Sequence, residues 1–455
     1  MFGEFSDTQW VALSFVLLGI ALLVATLVRR YVPPLHRLYI PASVIAGFLI
    51  LILGPQILGA LTGTDGLIPR AAVDVLSRLP GLMINIVFAG VMLGKRLPSV
   101  KSFWGESAPH FILGSVFSFG QFALGALAVA FILTPFFGLP AAAGSILELS
   151  FAGGHGTIAG MGEILDNAGA PEVVDIGLGL ATISMITGVV GGSILVNYAI
   201  RSPRITVART SRVHPATDAV HFVAPNSGDT ASTDLGLGSI SRSFGAIALS
   251  IALGLVVLEV LRLIARAFGS DLFDAFPLFP FTVIGGFAVQ LVLTATRKEE
   301  LVERRTVNDI TTLALDILIA AAIGTMSLAA LGANIPSLVI LTVIAFGWSV
   351  IGMLWLGPRI HRVHWFEHAI ADYGQSQGNV ATGFVLADMA DPGRTTAAAR
   401  AYGYKQLTYE PLLGGGILTA LSVPIILVIG PVWFGVASAV ITIGLILWGV
   451  LRGRR

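Results

Sequence analysis

"LSFAGGHGTIAGMG", residues 149–162, places five glycines, a histidine, a serine and a threonine in fourteen positions. The 455-residue chain around it is 55% hydrophobic and 12% charged, with a mean hydropathy of +0.86. Such a composition belongs to a membrane protein, and apolar runs long enough to cross a bilayer confirm the class. Bare, polar backbone at membrane depth survives only where protein or a watery cavity surrounds it. The stretch therefore marks an internal surface. There is no cysteine, so disulfides and thiolate metal sites are excluded, and a formal net charge of +1 gives nucleic acid no purchase.

Apolar spans lie at about 10–28, 38–59, 79–94, 109–134, 172–200, 243–265, 278–296, 310–331, 335–357, 405–429 and 431–451. The first follows an acidic start without a signal-peptide pattern and is expected to be a retained helix. Segments 141–166 and 366–391 are apolar at their flanks and polar at their centres. Treating both as re-entrant hairpins, with the N-terminus outside, leaves only Arg70, Arg78, Arg262 and Arg266 of the 27 basic residues on the outer face. Letting either hairpin cross would invert everything after it and spoil this positive-inside sorting. The expected location is a bacterial-type plasma (inner) membrane, with the C-terminus cytoplasmic.

The two halves look related. "IPASVIAGFLI" (40–50) overlays "FPFTVIGGFAV" (279–289), and "FAGGHGTIAGMGEILD" (151–166) overlays "YGQSQGNVATGFVLAD" (373–388) more weakly, keeping Gly156/Gly378, Ala159/Ala381 and Asp166/Asp388. Five spans per half is an odd number, so the second half is expected to be inverted. The expected fold class is an all-α integral membrane protein: an inverted repeat of five helices plus a hairpin in 1–200 and again in 242–429. A cytoplasmic linker at 201–241 joins them, and an additional helix fills 430–455. Interrupted segments at corresponding places in two inverted halves are the pattern of a secondary transporter whose site lies where the interruptions meet.

A hairpin tip ends one helix and begins another. The ending helix offers carbonyls suited to Na⁺; the beginning helix offers N–H groups suited to a carboxylate. Ser150, Gly153, Gly154, His155, Gly156 and Thr157 from the first tip, and Ser376, Gln377, Gly378, Asn379 and Thr382 from the second, are the expected substrate- and ion-binding residues. The plainer reading of such glycines is close helix packing, but two interrupted segments in matching places argue for a site. Asn85 and Asp316 occupy equivalent places in the third spans, and Asp388 ends the second hairpin; polar residues inside spans are functional candidates. Asp316 alternatively caps its helix, Asp388 alternatively sits in the headgroup layer, and His155 alternatively is a neutral structural histidine. "HWFEH" (364–368) satisfies a metalloprotease pattern. It lies at the mouth of a hairpin, where Trp and His are ordinary interface residues, so neither an enzyme nor bound zinc is expected, and no cofactor.

"AGSILELSFAGGHGT" (143–157) resembles the first re-entrant hairpin of the sodium/glutamate symporters, A-G-S-I-x-L-S-G-G-H-G-T, and "YIPASVIAGFL" resembles their I-P-x-x-V-A-G-G-L. The resemblance implies Na⁺-coupled uptake of glutamate or a related acidic amino acid, a homodimer in the lipid bilayer and an elevator-like moving domain. It carries roles onto Gly153, Gly154, His155, Gly156 and Thr157. The sequence departs from the family pattern in the extra residues around Glu148, in Gly383 and Asp388 where the second hairpin has Pro and Asn, and in the last span. The other function these residues suit is a proton or cation exchanger without an organic substrate.

Overall fold

The computed structural model describes residues 5–33, 35, 40–94, 107–202, 237–270, 273, 276–393 and 395–454. Most of the 201–241 linker, and the inside-face residues Arg37, Lys95, Arg96, Lys101, Arg204, Arg209, Arg212, Arg394 and Arg455, lie outside these. The described residues are helical, without strands.

The helices in chain order are α1 (Asp7–Tyr31), α2 (Ala42–Leu53), α3 (Arg70–Leu76), α4 (Leu79–Gly90) and α5 (Ala108–Ala128). The first hairpin follows as α6 (Ile146–Phe151), α7 (Gly154–Gly160) and α8 (Gly162–Asn167), and α9 (Glu172–Arg201) completes the first half. The second half holds α10 (Leu237–Ala267), α11 (Phe279–Ala295), α12 (Arg304–Thr325), α13 (Ile335–Ile351), the hairpin α14 (Trp365–Ser376) and α15 (Val380–Ala390), α16 (Ala398–Tyr409) and α17 (Ile417–Arg454).

Nine helical stretches among the described residues are long and apolar enough to span a membrane, against the eleven expected. Two causes account for the difference. The 278–296 span is the 17-residue α11, apolar but short. The last two spans run together as α17, whose two legs meet at Gly430, with φ 80° and ψ 160°. The expected 405–429 span is itself interrupted: α16 ends at Tyr409 and α17 begins at Ile417, with Gly414 and Gly415 at φ 63° and 104° between them. Positive φ is cheap only for glycine, so the Gly414–Gly415–Gly416 run is what lets the helix unwind there. Its chemistry resembles a hairpin tip, and the apolar residues on both sides hid it.

The helices form two packed groups. In one, α12 packs on α2 and α4, α1 on α2 and α3, and α11 on α4 and α10. In the other, α5 packs on α17, α14 and α16, and α9 packs on α6, α7, α13, α14 and α15. The arm α7 bridges them, resting on α4 and α12 as well as on α9. Small residues set these approaches: Gly47 of α2 lies against Ile323 and the Ala320 carbonyl of α12, and Gly286 of α11 against the Ala89 carbonyl of α4. Side chains there would push the backbones apart.

Candidate functional site

α9 is the rail on which both hairpins are mounted. Its sequence, "DIGLGLATISMITGVVGG" over 175–192, puts glycines where neighbouring chains come close. Gly177 lies against both Ser150 and Ile158, one from each arm of the first hairpin, so that chain enters and folds back on the same side. Farther along, Gly191 faces Tyr373 and Gly192 faces Leu386, one from each arm of the second hairpin. Polar contacts fix the tips: His155 Nε2 lies 3.0 Å from Thr182 Oγ1, and Thr187 Oγ1 donates to Gln377 Oε1 at 3.0 Å. Thr182 and Thr187 are about 7–8 Å apart along the axis. They stand close to the middle of the 30-residue helix.

The tips meet. A methyl group built on Gly154 would stand 3.6 Å from the Gly378 carbonyl oxygen, and Gly154 has φ 76°. The first tip is Ala152–Gly153: both backbone N–H groups donate to the Glu148 carbonyl, ending α6, and Thr157 Oγ1 donates to the Gly153 carbonyl at 2.9 Å. The second tip is Gln377–Gly378–Asn379. Asn379 Oδ1 caps α15 by accepting from the Thr382 N–H at 2.9 Å and its hydroxyl at 3.2 Å. Gln377 Nε2 donates to Ala345 O and Ser349 Oγ, Ser376 Oγ to Ser349 Oγ, and Gln121 Nε2 to the Ser376 carbonyl. The Ser150 hydroxyl is buried without a hydrogen bond.

Several expected site residues lie elsewhere. Gly156 faces Leu315 of α12, with a built methyl 2.9 Å from its Cδ1, so it belongs to the surface between the two helix groups. Of the two overlaid glycines, Gly378 lies at the break between α14 and α15, whereas Gly156 lies inside α7. Asp388 is near the far end of α15, and Asn85 donates to Gly81 within its own helix. Asp316 looks toward Ser43 of α2.

Three features at the tips escaped sequence reasoning. The unwound Gly414–Gly415 segment joins them, Gly414 against the Ala152 carbonyl and Gly415 against Thr157 and the Gly153 carbonyl. Glu148 holds it: its Oε1 accepts from the Gly414 N–H at 3.1 Å and from Thr419 Oγ1 at 3.0 Å, while its Oε2 is buried without a hydrogen bond. Lys405, counted among the inside-face cations, is fully buried, its Nζ 2.8 Å from both Asp372 Oδ1 and Gln375 Oε1 and 4.0 Å from the Tyr409 ring centroid. Gln375 is two residues before the tip, so a compensated ion pair underlies the second hairpin. The signal was present as ionisable residues inside apolar segments, Glu148, Asp372 and Lys405.

A cavity of about 130 Å³ opens beside α4 and α12, lined by Gly90, Arg304, Thr311, Leu315 and Glu410. Glu410, just after α16 at the start of the unwound segment, brings the other helix group to its edge. The arrangement offers helix-end carbonyls, helix-start N–H groups and hydroxyls from three chain interruptions that meet at one place. That suits a small ion and a carboxylate held together.

A family model described as sodium/glutamate symporter matches residues 9–355. No curated protein matches the chain. The matched residues include the first hairpin and α9 and end before the second hairpin.

Proposed function

This chain belongs to the sodium/glutamate symporter family, and from that premise we propose that the meeting hairpin tips bind the transported glutamate and Na⁺. The activity of the family is Na⁺-coupled glutamate transport; it is a transporter family and not an enzyme family. The observation that carries the assignment to the tips is the approach of Gly154 to Gly378 beside the middle of α9. The carbonyls that end α6 and α14 are the Na⁺ ligands. The N–H groups that begin α7 and α15 receive the substrate carboxylates, with Thr157, Asn379 and Thr382 beside them. A hydrogen-bonding tip without its own free cation rewards a solute that arrives with Na⁺, which couples the two.

The inverted repeat is part of this proposal. Reciprocity supports it: the glycine shared by the two overlaid segments, Gly47 in one half and Gly286 in the other, presses on the third long helix of the opposite half. The group holding the hairpins, α5, α9 and α13 to α17, is the moving body of an elevator. The group built on α2, α4, α11 and α12 is its fixed partner, with Gly156 on the sliding surface. The exposed apolar side of α10, including Leu249, Val256 and Leu263, faces lipid or the second subunit of a homodimer. Proteoliposomes with imposed gradients test the function: an inward Na⁺ gradient drives labelled glutamate uptake, whereas a proton gradient alone does not. Cation exchange that ignores glutamate would establish the exchanger instead.

A further inference from the structure

Away from the tips, at the base of the second hairpin, three histidines converge from separate parts of the chain. His110 comes from the first turn of α5, His361 from the turn before α14, and His368 from α14 itself. His110 is fully buried and His361 is 5% exposed. One ring nitrogen from each of the three lies within 4.8 Å of the others. The rings crowd together, with centroids 4.7 Å apart for His110 and His361, 4.9 Å for His110 and His368, and 5.0 Å for His361 and His368.

The polar contacts give this cluster a direction. His110 Nδ1 lies 2.7 Å from Asp372 Oδ2, and the other oxygen of Asp372 accepts from Lys405. With Lys405 on its other oxygen, Asp372 is an acceptor for a His110 Nδ1–H, and in that tautomer His110 Nε2 turns a lone pair inward. That Nε2 is 2.7 Å from His368 Nδ1. His361 Nε2 is buried without a hydrogen bond and stands 3.7 Å from Asp372 Oδ2. A carboxylate that fixes one imidazole, whose other nitrogen meets a second imidazole with a third close by, is the outer-shell arrangement of histidine metal sites. A buried, orphaned imidazole nitrogen costs free energy that a bound ion would recover.

We propose that His110 Nε2, His361 Nε2 and His368 Nδ1 form a binding site for a divalent transition-metal ion of the zinc class, oriented by Asp372. Three neutral imidazoles without thiolates or further carboxylates favour Zn²⁺, Co²⁺, Ni²⁺ or Cu²⁺ over Mg²⁺ or Ca²⁺. Zinc–nitrogen bonds of about 2.0–2.1 Å require nitrogens about 3.3 Å apart in a tetrahedron. The His110–His368 pair therefore opens slightly and the His361 nitrogen moves in, both within side-chain rotation. Three protein ligands leave a fourth position for water, and His368, the least buried of the three, marks the side of entry. The site reverses the expectation of no zinc drawn from "HWFEH": of that motif only His368 takes part, and its partners come from outside it. The ion ties the start of α5 to the base of the second hairpin, independently of which solute the tips carry.

The test uses the full-length protein, purified with a tag free of histidine, loaded with ZnCl₂ and desalted, and assayed for metal content. The wild type retains one zinc per chain. His361→Ala and His368→Ala each retain less than a tenth of that, and His364→Ala, a change at the exposed neighbour, retains it fully. Asp372→Asn weakens the zinc about ten- to hundredfold. Loading with Co²⁺ supplies a second measurement on the unaltered protein: intense visible d–d bands of a four-coordinate nitrogen site. Zinc retention unchanged in His361→Ala and His368→Ala would overturn the proposal, as would a wild type that retains no zinc and gives only the pale spectrum of hydrated cobalt.

Discussion

At the scale of single residues, the opening glycines divide into different kinds. Gly154 alone of the first-tip glycines needs a left-handed backbone, at φ 76°, where a side chain costs about 1–2 kcal/mol. Thr157 contributes one hydrogen bond, to the Gly153 carbonyl. Thr157→Ala therefore raises the half-saturating concentration of glutamate or Na⁺ a few-fold to about tenfold, because one such bond is worth about 0.5–1.5 kcal/mol net; initial uptake rates measure it. Lys405→Met leaves the Asp372 charge uncompensated in a fully buried place, at a cost of about 3–5 kcal/mol. A large fall in melting temperature is expected, with much of it recovered in the double variant Lys405→Met, Asp372→Asn. Outside the helices, burial raises the Asp391 carboxyl but the N–H and hydroxyl groups of Thr395 and Thr396 outweigh it, holding it below the usual carboxylate range. Its contribution is present at neutral pH and lost as pH falls through that lowered value. Asp391→Ala thus lowers the melting temperature at neutral pH and has little effect in acid. The glycines and Thr157 were legible because their types are out of place in an apolar chain. The partners of Glu148, Asp372 and His110 were not, because only the fold reveals which distant residues meet them.

At the scale of elements, long uniform helices were easy to read and interrupted ones were not. α5, with the turns that continue it to Phe137, and α9 are unbroken apolar runs, and the expected spans 109–134 and 172–200 fall inside them. The two hairpins were legible because glycine and polar residues lie together at their centres. The break between α16 and α17 has the same glycine signal, but Leu412, Leu413 and Ile417 beside it completed an apolar count. Periodicity and hydropathy report where a side chain is at home, not whether the backbone between two such residues is helical. Gly415 has φ 104°, and a built methyl there would stand 2.6 Å from Thr157 Oγ1. Gly415→Ala is accordingly expected to lower Na⁺-driven uptake more than tenfold while the protein still inserts. Uptake at the wild-type rate would show that the unwound segment merely connects two helices.

For the whole molecule, the proposed arrangement has two hairpins entering from opposite faces and one fixed group of helices beside one moving group. The absence of cysteine makes its topology simple to measure, since every introduced thiol is unique. A cysteine after Arg455 should react only with reagent applied to the cytoplasmic face, and one at Met1 only from outside; both termini on one face would contradict the odd number of spans. The central claim is narrower: glutamate and Na⁺ are held where Gly154 meets Gly378. Its most direct test is Na⁺-driven uptake of labelled glutamate by proteoliposomes holding equal amounts of wild-type protein or of Gly154→Val. The wild type should accumulate glutamate against its gradient, and the variant, folded and inserted, should take up no more than empty liposomes. Uptake by Gly154→Val at the wild-type rate would place the site elsewhere and leave the glycines of the tip as packing residues.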